Sequence, residues 1–192
     1  MKRYSLMLIA TCLLAVFSTA QSVNQSNAWF MYFGNHRLND KFSLHTEYQF
    51  RRSDMGQNWQ QSLMRVGLDA HVNNALITAG YGWIVSFPYG EQPIPLKFTE
   101  HRIWQQLILK QQAGRIYFNH RYRLEQRFLE NVSLNNEGQK IVDGFRFRQR
   151  ARYRFFASYP LNHKTMEDKT LFLAAYEEVF LGFGKGIQAN VL

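Results

Sequence analysis

Polar and apolar residues alternate along this chain with a period of two. In 42–51, Phe42, Leu44, Thr46, Tyr48 and Phe50 share one parity, and Ser43, His45, Glu47, Gln49 and Arg51 share the other. That period belongs to a two-faced strand and not to a helix. In 118–128, Phe118, Tyr122, Leu124 and Phe128 alternate with Asn119, Arg121, Arg123, Glu125 and Arg127. In 145–155, Phe145, Phe147, Ala151, Tyr153 and Phe155 alternate with Arg146, Arg148, Arg150, Arg152 and Arg154. Segments 28–37, 60–72, 75–85, 99–110 and 170–181 bring the prediction to eight strands. No stretch sets apolar residues at helical spacing behind a cap, so the class is all-β.

The links between these strands alternate in length. Asn39-Asp40, Asn73-Asn74 and Gln112-Ala113-Gly114 are tight, whereas Ser53 to Asn58, Ser86 to Lys97 and Glu130 to Gly144 are longer. Pro160 to Lys169 is longer than a strict alternation would have it. Strands of about ten residues, short turns on one side and longer loops on the other describe an antiparallel up-and-down transmembrane β-barrel. Soluble sandwiches use shorter strands, of ~5–6 residues. The expected orientation has a periplasmic N-terminus and short periplasmic turns.

The first twenty residues do not join this pattern. Lys2 and Arg3 precede an apolar run from Leu6 to Phe17, and Ser18-Thr19-Ala20 follows with small residues where a signal peptidase cuts. The run is too short for the ~20 residues of a membrane helix. Residues 1–20 are therefore expected to be a cleaved signal peptide and 21–192 an outer-membrane β-barrel domain of an exported protein. Cleavage removes the single cysteine, Cys12, and with Lys2 and Arg3 takes the formal charge from +9 to +7. A disulfide framework or a Cys-x-x-Cys metal or redox site is excluded.

Charge and aromatic content then decide which way the faces point. Aromatics make up 16% of the chain, with 16 Phe and 10 Tyr. Packing them all inward would crowd a closed core. Turned toward lipid, they need no close packing, and the polar parity becomes the lumen. Trp29, Trp59, Trp83, Tyr89, Phe98 and Phe128 fall at strand ends, where an aromatic girdle would lie. Gly80 and Gly82 on the inner face would leave room for opposing bulky groups.

The candidate site is a lumen charge network of Glu47, Glu100, Arg102, Arg121, Arg123, Glu125, Arg127, Arg146, Arg148, Arg150, Arg152, Arg154 and Glu178. Guanidiniums at strand spacing inside a barrel need carboxylates on neighbouring strands. The function expected is structural or passive. Arginine rings also favour anions in pores, so an anion-permeable pore is one alternative, with small anions as partners. A lipid-modifying enzyme is a second and a soluble lipocalin-like barrel a third. No His-x-Ser pair or Gly-x-Ser-x-Gly elbow occurs. His101 and His120 share an outward parity, while the adjacent Glu177 and Glu178 fall on opposite faces. No enzyme, cofactor or metal site is therefore expected. The other partners expected are outer-membrane lipid and, during insertion, the barrel-assembly machinery. Strand-bound arginines in an exported protein argue against nucleic acid.

The segments Glu100 to Gln106, His120 to Phe128, Phe145 to Arg148 with Tyr153-Arg154, and Ala175 to Leu181 resemble the family called domain of unknown function 2490. The resemblance spans about Ala28 to Asn190. It implies an exported outer-membrane β-barrel, mostly found in Bacteroidota, and brings no established activity, cofactor or catalytic residue. Such proteins continue for further strands and finish near an aromatic residue, whereas this sequence stops at Val191-Leu192. A barrel of ten to twelve strands, of which eight are present here, is the resulting expectation.

Overall fold

A computed structural model describes residues 25–90, 94–184 and 190–191. The segment 1–20, read as a signal peptide, lies outside the described residues. The strands are β1 (Asn27–Arg37), β2 (Phe42–Ser53), β3 (Asn58–Val72), β4 (Ala75–Ser86), β5 (Phe98–Ala113), β6 (Ile116–Leu134), β7 (Lys140–Pro160), β8 (Phe172–Phe183) and the short β9 (Asn190–Val191). Each pairs antiparallel with the next in chain order, giving a single up-and-down sheet. A 3-10 turn over Asp54–Gly56 joins β2 to β3.

Turn chemistry sets the register. Asn39 Oδ1 accepts the amides of Lys41 and Phe42, both at 2.9 Å. Gly114 takes the left-handed φ of +58° that the tight β5–β6 link requires. The expected long link from Glu130 to Gly144 is corrected, because β6 runs on to Leu134 and β7 resumes at Lys140. Val132 pairs with Val142 and Ser133 with Ile141 past a bulge at Glu130, so β-branched residues carry the ladder into a polar stretch. Asn135 closes the hairpin by accepting the amides of Glu137 and Gln139.

The sheet curls into a half-barrel. Side chains three strands apart meet across its concave face: Arg65 of β3 lies 3.8 Å from Glu125 of β6, and His45 of β2 sits edge-on to Trp104 of β5. Among the described residues β1 pairs along its backbone only with β2, and the ladder does not close. The inward Phe33 and Tyr176, on β1 and β8, are accordingly exposed.

The parities separate cleanly. Glu47, Arg65, Asp69, Glu100, Arg102, Arg123 and Glu125 are buried on the concave side. Tyr48, Met64, Val66, Leu68, Tyr81, Ile103, Tyr122 and Leu124 are exposed on the convex side. Trp59 stacks on Phe87 and meets Phe50 edge-on, and Phe128 packs on Phe147, within the outer rim of aromatics. Trp29 and Phe98 depart from the expected girdle. They pair with the inward Arg51 and Ser86, and Trp29 donates to Gln60.

The rims also correct the expected orientation. Ser26, just before β1, accepts the amide of Met55. The N-terminal end of β1 thus lies on the rim of the links after β2, β4 and β6, and the tightest turns, after β3 and β5, lie on the opposite rim. A periplasmic N-terminus and short periplasmic turns cannot both hold.

Candidate functional site: the charged interior

Four carboxylates organise the concave face. Glu47 accepts from Arg65 Nη1 at 3.0 and 3.1 Å and from the amide of Gln49. Glu100 accepts Arg102 Nε at 2.6 Å and is clasped by Arg127 through Nε at 2.8 Å and Nη2 at 2.7 Å. Glu125, fully buried, receives Arg150 at 2.6 Å and Arg102 at 3.3 Å, with Arg152 at 3.6 Å. Glu178 holds Arg121 at 2.7 Å and Arg152 at 2.8 Å. Such sharing is what burial demands, since an ion pair away from water holds only when its remaining donors and acceptors are met.

The antiparallel register explains why carboxylates must be shared. Glu125 stands directly opposite Arg150, but Arg121 faces Arg154, Arg123 faces Arg152 and Arg127 faces Arg148. Like charges in opposed positions destabilise a ladder. Glu100 and Glu178, one strand further out on either side, relieve part of that repulsion.

Not every expected member joins. Arg146 keeps the inward parity, opposite Leu129, but it is exposed near the rim and makes no ion pair among the described residues. Alternation continues past the point where the curled sheet can bury it. Arg148, next along, is half-buried. Arg154 lines the interior, yet no carboxylate reaches it among the described residues, and its buried Nε lacks an acceptor.

Several interior residues escaped the sequence reading. Arg65 and Asp69 share the inward parity of 60–72, the signal that would have found them. Asp69 is buried among neutral donors, with Asn35 Nδ2 at 2.7 Å and Thr78 Oγ1 at 2.6 Å. Trp104 is wholly buried, and the inner-face glycines make its room as expected. A Cβ at Gly80 would lie 2.8 Å from its ring, and one at Gly67 3.1 Å. Gly82 instead accommodates Arg65. On the convex face, His101 contacts Tyr81 and Phe145, while His120 bonds Tyr153 at 2.9 Å near the other end of β5. Glu177 and Glu178 point to opposite sides, as expected from their adjacency.

A curled antiparallel sheet with its charges inside and its apolar side chains outside defines the class. Within it, the family described as "Protein of unknown function (DUF2490)" matches residues 26–192, and the chain belongs to that family. No curated protein and no solved structure matches the chain.

Proposed function

We propose that this protein is an exported outer-membrane β-barrel whose charged interior serves a structural, passive role. One observation carries the reading: the sheet is inverted relative to a water-soluble barrel. Glu47, Glu100 and Glu125 are buried with their arginines, while large apolar side chains cover the exposed face. In water that convex face would be an apolar patch far beyond what soluble monomers expose. Against acyl chains it is the favourable side, and the polar interior matches a membrane barrel. The network then acts as a rigid filling that couples strands β2 to β8.

The reading carries two requirements. Unpaired strand edges do not exist in lipid, so the free edge of β1 and the part of β8 beyond its short pairing with β9 must be paired in the assembled protein. The N-terminal rim must also face the periplasm. Only residues 21–26 separate the expected cleavage point from β1. Six residues reach about 20 Å, less than the ~25 Å apolar band of such barrels. The tight turns after β1, β3 and β5 then face outward.

The test is electrophoresis of unboiled and boiled outer membranes from cells expressing the protein with its first twenty residues. A membrane-bound band that migrates faster unboiled is expected. Soluble protein with a single mobility would overturn the reading.

A further inference from the structure

Between β1, β2, β3, β5, β6 and β7 the concave face shapes a half-open cavity of about 400 Å³. Its wall includes Glu47 and six guanidiniums, those of Arg51, Arg65, Arg121, Arg123, Arg152 and Arg154. Arg65 is matched by Glu47, and Arg121 and Arg152 divide Glu178 between them. Arg51, Arg123 and Arg154 have no carboxylate within ion-pair distance among the described residues; Arg51 donates to Gln49 Oε1 and lies over the Trp29 ring.

Arg123 is the sharpest anomaly, because it is buried, with 7% of its surface exposed. Its Nε and Nη2 donate to Gln106 Oε1 at 3.0 and 2.6 Å, and its guanidinium lies over the Trp104 ring at 4.9 Å. Those neutral partners hold the side chain in place but leave its charge uncompensated, and Nη1 finds no acceptor among the described residues. The buried Nε groups of Arg65, Arg121 and Arg154 are likewise without acceptors. Removing a cation from water without a counter-charge is costly. Here three arginines without a counter-charge border one polar space, together with the unmet Nε groups.

We infer that this cavity is a binding site for a small oxyanion, the phosphate or carboxylate group of a low-molecular-weight ligand, held between Arg123 and Arg154. Guanidinium forks suit both groups through paired N–H···O bonds. The volume falls within the ~300–1,000 Å³ of small-ligand pockets, so the oxyanion can carry a small organic body. The orphaned Nε of Arg121 supplies a further donor, and the anion offsets the repulsion in the opposed Arg121–Arg154 and Arg123–Arg152 rungs. The inference stands on the concave face alone and is independent of what covers the convex face.

The experiment is isothermal titration of the full exported chain in detergent micelles with inorganic phosphate, and separately with succinate, each against sodium chloride of equal ionic strength. Saturable one-to-one binding of at least one probe is expected, and which probe binds identifies the source of the oxyanion. Arg154→Gln and Arg123→Gln are each expected to weaken binding at least tenfold, whereas Arg146→Gln, on the same face but outside the cavity, leaves it unchanged. Because Arg123→Gln disturbs a buried position, thermal unfolding gives the second readout. The bound probe should raise the midpoint of the unsubstituted protein and not that of Arg154→Gln. No saturable heat with either probe overturns the proposal, as does equal weakening by Arg146→Gln.

Discussion

At the scale of single residues, the interior is governed by what fits beside a charge or a ring. Gly80 and Gly82 share a strand and a face but differ in what a methyl group would meet. At position 80 a Cβ would press on the Val66 carbonyl oxygen, which is backbone and cannot swing away, and would lie 2.8 Å from Trp104. At position 82 the nearest atom is Arg65 Cγ, 3.2 Å away on a flexible side chain. Gly80→Ala is therefore expected to destabilise by about 1–3 kcal/mol, in the range of overpacked interiors, and Gly82→Ala by well under that. Urea unfolding of the two variants in micelles checks the order, and equal losses would contradict it. The room at these glycines was legible from parity alone, but its occupant was not. Trp104 lies on another strand, and a period of two says which face a residue takes without saying what crosses the interior to meet it. Arg146 fails for a related reason, since parity does not record where along a strand burial ends.

At the scale of strands, the local pattern carried most of the information. Alternation located all eight long strands, with ends shifted by up to six residues, because each face meets a different environment and the side-chain period enforces it. The β6–β7 hairpin was underestimated because polar residues around Asn135 look like a loop, while Val132, Ile141 and Val142 continue the ladder. Link lengths misled as well: the count of strands fixes which links share a rim, and length does not. Asp40, in the β1–β2 turn, and Glu137, at the β6–β7 tip, stand on opposite rims. Residues 21–192 contain no cysteine, so Asp40→Cys and Glu137→Cys can each be labelled singly on intact cells with a membrane-impermeant maleimide. With the N-terminal rim in the periplasm, Asp40→Cys labels and Glu137→Cys is protected. The reverse pattern would overturn that orientation.

At the scale of the whole molecule, the question is which solvent covers the convex face. Val66 sits near the middle of β3, pointing outward and 45% exposed. In water, Val66→Arg is a surface change worth within about 0.5 kcal/mol. In a bilayer, an arginine on the lipid face near mid-depth costs about 2–4 kcal/mol. The larger loss is expected on unfolding from lipid vesicles, and a negligible one would favour an aqueous surface. The sequence could foretell the inversion because aromatics and arginines occupy opposite parities on strand after strand. It could not foretell how the arginines divide their carboxylates, which depends on curvature and on register between distant strands. That division bears on descent. Glu125 answers to Arg102 on β5 and to Arg150 and Arg152 on β7, and Glu178 ties Arg152 to Arg121 on β6, so no member can be exchanged without stranding another. Over generations the inner charges must change in compensating sets, as one inherited block, while each outward Leu, Val or Phe is free to drift to another apolar residue independently.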